Sequence, residues 1–179
     1  MKSSINLNRL HIAALVMLLV TLAGAQLLRE EVRAAAVRWL LDDCGLQSSL
    51  RDDLRAAASP ALETFFLDAL QKGPEPAQLS DVEQAAARRY EQRQQSLKGP
   101  SSHGLSQQDI EAARKVSRDD FIAQEKKDFD VRFRSQAVAG LALTGGAKAK
   151  VELQQLARDE KSPLRTSAQQ ALAELQKRK

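Results

Sequence analysis

Asp128, Arg134, Ala137 and Leu141 recur 31 residues later as Asp159, Arg165, Ala168 and Leu172, so one structural unit is used twice in succession. The recurrence has a helical phase. Phe133, Ala137, Gly140, Leu141 and Thr144 fall at i, i+4, i+7, i+8 and i+11, and Leu164, Ala168, Ala171, Leu172 and Leu175 repeat the spacing, which is one face of an α-helix. Gly145 and Gly146 between them read as a helix stop. Ala149, Leu153, Leu156 and Ala157 then read as an antiparallel helix, so the unit is a helix pair. A unit of this size buries its apolar face only against a neighbouring unit, and the fold class that follows is all-α.

The stretch from Asp128 to Leu175 resembles the HEAT-like repeats known from phycobilin lyases, with Phe133-Arg134, Ala137-Val138 and Leu141 on the pattern and Leu164-Arg165, Ala168 and Ala171-Leu172 on it again. The resemblance implies a ladder between units in which Asp128 pairs with Arg134 and Asp159 with Arg165. A carboxylate can accept amide protons at a helix start while an arginine fork reaches it from the next unit. About two units are covered. The helix before Asp128 departs from the pattern, because Asp120 and Glu125 stand where Val151 and Leu156 stand one period later. Val32-Arg33, Ala36-Val37 and Leu40 echo it near the start without the preceding aspartate. Two repeats and an export signal both argue against carrying a lyase activity over.

That signal lies at the N-terminus, where Lys2 and Arg9 precede an unbroken apolar run from Ile12 to Leu22 and then Ala23-Gly24-Ala25. A basic start, a short apolar core and a small-residue cleavage site make residues 1–25 a secretory signal peptide, with a mature chain starting at Gln26. The alternative is an uncleaved anchor over residues 12–28, near the minimum length for a span. Either reading places the remainder beyond the membrane, in the periplasm if the envelope is Gram-negative, because the positive charges precede the apolar run.

The full chain carries 27 basic and 23 acidic residues, and loss of Lys2 and Arg9 leaves 25 against 23. The excess is small and the basic residues are interspersed with acidic ones, so no nucleic-acid partner is expected. A lone cysteine, Cys44, cannot form an internal disulfide; it is a small buried residue or an intermolecular bridge.

Along the mature chain, Leu28, Val32, Ala35, Ala36, Trp39 and Leu40 form an apolar stripe ending near Gly45. Ser49 with Asp52 reads as the cap of a short helix carrying Leu50, Leu54, Ala57 and Ala58. Ser59-Pro60 opens the next, whose Leu62, Phe65, Phe66, Ala69 and Leu70 are core residues, and Gly73-Pro74 stops it. Residues up to Leu79 read as a linker, and Ser80 with Glu83 as the box that starts a polar helix running to Leu97. Its Arg88, Arg89 and Arg93 are candidates for a partner surface. Residues 98–105, rich in Gly, Pro and Ser, divide an N-terminal helical half, 26–97, from the repeat segment, 106–179. The second part opens with Ser106 and Asp109 as a box, followed by a helix continuing towards Lys127. The halves are expected to pack together, since each has few large apolar residues.

The inventory of reactive groups is thin. His103, the one histidine of the mature chain, sits in the Gly/Ser-rich loop with nothing nearby to orient it. One Cys and one His cannot build a zinc cage, and Asp128-Phe129-Asp130 lacks the glycine and terminal glutamate of a calcium loop. No cofactor or metal motif is legible. The chain therefore reads as an exported adaptor, assembly factor or inhibitor that binds another envelope protein. Helix phase puts Ser135, Ala139 and Leu143, with Thr166 and Gln170, on the face away from the core as the candidate contact residues. The alternative is an enzyme or small-ligand carrier with a site between the two halves.

Overall fold

The structure is a computed structural model that describes residues 29–41, 47–98 and 106–177. Residues 1–25, expected to be a signal peptide, lie outside the described residues, as do Cys44 and His103. Among the described residues there are eight α-helices and no strand. They are α1 (Glu30–Leu41), α2 (Gln47–Ala56), α3 (Pro60–Lys72), α4 (Pro76–Ser96), α5 (Gln107–Lys115), α6 (Arg118–Thr144), α7 (Ala147–Arg158) and α8 (Arg165–Gln176). The chain is all-α, as its periodicities predict.

The caps that start and stop these helices agree with the sequence in part. Ser59 accepts from the Leu62 amide at 3.3 Å with Pro60 in the first turn of α3, and Ser106 accepts from Asp109 at 3.1 Å at the start of α5. Three expectations are corrected. The helix expected from Gln107 towards Lys127 is two helices, because Ser117 accepts from the Asp120 amide at 3.0 Å and starts α6 afresh. The polar helix α4 starts at Pro76 rather than after Ser80: Glu75 is its N-cap, and its amide donates to Gln78 Oε1 at 2.8 Å. Likewise α2 begins at Gln47, which places Ser49 inside the helix.

The 27-residue α6, about 40 Å long, organises the fold. It packs against α1, α2, α3, α4, α7 and α8, and α8 packs in turn against α7. Its two halves differ in kind. From Phe133 to Leu143 it supplies Phe133, Ala137, Val138, Gly140, Leu141, Ala142 and Leu143 to the interior, whereas Arg118 to Arg132 is mostly charged and buries only Ile122 and Phe129. One continuous core joins both halves of the chain, since Trp39, Leu62, Phe66 and Leu70 share it with Phe133, Val138, Leu141, Leu153 and Ala168. The Trp39 indole N–H donates to the Gln136 carbonyl at 2.8 Å, which fixes α1 on α6. Phe66 approaches Gly140 so closely that a Cβ there would stand 2.5 Å from the ring, so the glycine is what lets α3 and α6 approach.

Candidate functional site

A groove of about 720 Å³ runs along the seam between α6 and α8. Its apolar lining is small: Val131, Ala139, Ala142, Pro163 and Ala171. Its walls are polar: Gln124, Lys127, Asp128, Arg132, Ser135 and Gln136 from α6 face Ser167, Gln170 and Glu174 from α8. The Ser135 and Ser167 hydroxyls bond across the seam at 2.8 Å. Arg51 of α2 closes one corner by pairing with Glu174 at 3.1 Å, and Arg55 adds a second bond to the same carboxylate at 3.4 Å.

Of the contact residues expected from helix phase, Ser135, Ala139 and Gln170 line this groove and Thr166 is exposed beside it. Leu143 does not belong there, because it is fully buried in the core. The reason is rotational. A step of four residues advances a 3.6-residue helix by about 40° beyond a full turn, so 135, 139 and 143 drift off one face. The groove-lining row instead runs through 128, 131, 135, 139 and 142. Glu174 and Arg51 carry no local signal of their role, since they meet only through the packing of α2 beside α8.

The arginines of α4 are partly engaged within the molecule. Arg89 pairs with Glu125 of α6 at 2.8 Å, and Arg93 lies 5.8 Å from the centre of the Phe121 ring. Arg88 is exposed.

The ladder implied by the resemblance is built differently. Among the described residues no ion pair joins Asp128 to Arg134 or Asp159 to Arg165. Asp128 sits within α6 and accepts from Gln124 at 2.8 Å. Arg134 pairs with Asp130, one turn before it, at 2.9 Å, and its Nη1 donates to the Leu70 carbonyl and, at 3.1 Å, to that of Gln71. It therefore finishes the C-terminus of α3, where a cation is favoured and carbonyls lack intrahelical partners. Asp159 ends α7 and accepts from the Lys161 amide at 3.0 Å, while Arg165 opens α8 with its Nε buried and unpartnered.

A second helix end is finished from afar. α7 starts at Gly146 without a side-chain cap of its own, and the carboxylate of Glu63, a residue of α3 that is 9% exposed, accepts from the Ala149 amide at 2.8 Å. Gly145 takes the left-handed conformation (φ 49°) that ends α6, and a Cβ on Gly146 would collide with the Glu63 carboxylate. The glycine pair thus has two separate causes.

A cleft of about 360 Å³ lies within the N-terminal half, lined by Val37, Leu40, Phe65 and Ala69 with Arg33, Asp68, Lys72 and Glu75 among its polar residues, and Phe133 is its one lining residue from the second half. Among the described residues no group of three or more His, Cys, Asp or Glu side chains is placed to hold a metal ion, and no helix is long and apolar enough to cross a membrane. No family model, curated protein or solved structure matches the chain.

Proposed function

We propose that the chain is an exported adaptor, assembly factor or inhibitor that binds another envelope protein, with the α6–α8 groove as its contact surface. The observation that carries this reading is the groove itself. Ser135, Ala139 and Gln170 line a concavity whose small apolar residues and mixed charged, hydroxyl and amide side chains suit an extended or helical segment of a partner. Export is argued from the Lys2-to-Ala25 segment. In this reading α6, α7 and α8 are a short HEAT-like segment, supported by α8 packing against both α6 and α7.

The test is crosslinked capture of an envelope protein by the C-terminally tagged full chain, repeated with Gln170→Arg and Lys127→Glu. Both side chains are exposed, so melting is expected to stay within about 0.5 kcal/mol of wild type. Capture is expected to fall about tenfold for each. Undiminished capture by both variants would remove the groove from the interaction.

A further inference from the structure

The distal ends of α4 and α6, with α5, form a spur whose packing is separate from the main core. Ala86, Leu97, Ile110 and Ile122 are buried there, yet none of them belongs to the continuous cluster that contains Trp39, Phe66 and Leu141. The Tyr90 and Phe121 rings meet across the α4–α6 seam with centroids 5.8 Å apart, and polar contacts accompany them. Lys126 pairs with Glu83 at 2.9 Å and Arg89 with Glu125 at 2.8 Å. Tyr90 donates to the Val116 carbonyl at 3.2 Å, and Arg114 to that of Leu97 at 3.0 Å. The Nε2 of Gln94 is buried without a hydrogen-bond partner, which weakens the spur further.

We infer that this spur opens as a unit of its own while the core stays closed, its α4–α6 seam latched by the Glu83–Lys126 and Arg89–Glu125 ion pairs. Two physical facts carry this. Local opening is cheapest where few apolar contacts must be lost, and the spur has four buried apolar residues against nineteen in the main cluster. Both ion pairs are substantially solvent-exposed, so each contributes little and is weakened by salt. Opening uncovers Leu97, Ile110 and Ile122 and keeps the part of the α6–α8 groove built on Ser135, Gln136, Ala139 and Ala142, whereas Gln124, Lys127 and Asp128 lie on the stretch of α6 that borders the spur.

Native-state amide exchange on the full chain tests this. Amides of α5 and of the spur portions of α4 and α6 are expected to exchange at least tenfold faster than those of α3 and of Phe133–Leu143. Raising salt to about 1 M, where screening reaches about 3 Å, is expected to widen the gap by about twofold to fivefold. Ile122→Ala is expected to speed spur exchange more than tenfold and leave the core amides unchanged. Equal protection in spur and core, or core amides that speed up as much as spur amides in Ile122→Ala, would overturn the inference. The readout is independent of partner capture, so the spur and the groove stand or fall separately.

Discussion

Glu63 and Arg134 each complete a helix to which they do not belong. Glu63 satisfies an amide at the start of α7, and Arg134 satisfies carbonyls at the end of α3. Neither role is legible in the sequence, because capping patterns are local and the Glu63–Ala149 bond spans 86 residues. The glycines were easier to interpret as punctuation than as space. Gly145 is a helix stop by pattern, whereas the reason for Gly146 is a carboxylate from another helix lying against it. Removing that carboxylate leaves a buried N–H unpaired. Glu63→Ala is therefore expected to lower unfolding stability by about 1–3 kcal/mol in chemical denaturation, and Glu63→Gln, which keeps an acceptor, by less. Equal losses in the two variants would show that the acceptor atom is not what matters.

At the scale of elements, the periodic signals were sound and the boundaries were set by chemistry that the periodicity does not carry. The face containing Phe133, Ala137, Gly140 and Leu141 is buried, and so are Ala149 and Leu153 of the following helix. The break between α5 and α6 was there to be read, since Ser117 and Asp120 repeat the spacing of Ser106 and Asp109. A run of charged residues with no Gly or Pro masks it. Glu75 as a cap was harder to see, because Pro76 looks like a linker residue until it occupies the first turn. Ser117→Ala removes the acceptor for the Asp120 amide and is expected to cost about 1 kcal/mol, measured as a lower denaturation midpoint with an unchanged slope. The groove was only partly legible. Three of its residues follow from helix phase, and the α2 corner does not, since Arg51 reaches Glu174 across 123 residues of sequence.

For the whole molecule, the two copies of the 31-residue recurrence differ in polarity. Val138, Ala139 and Leu143 of α6 correspond to Gln169, Gln170 and Glu174 of α8, so the later copy presents polar side chains where the earlier one packs. The molecule closes around α6, against which both Trp39 and Phe66 pack. A fragment ending at Lys98 is expected to show solvent-exposed tryptophan emission from Trp39 and no cooperative thermal transition, while the full chain shows a buried indole and a single main transition. A fragment that melts cooperatively would give the N-terminal half a core of its own. The central position of α6 bears on the order in which the chain is made. Synthesis delivers α1 to α4 well before the apolar half of α6, so the first half of the protein must wait for residues near Thr144 before its hydrophobic surfaces find cover. A polypeptide arranged this way is expected to keep its first half unfolded until α6 has been made, which would suit the export proposed above.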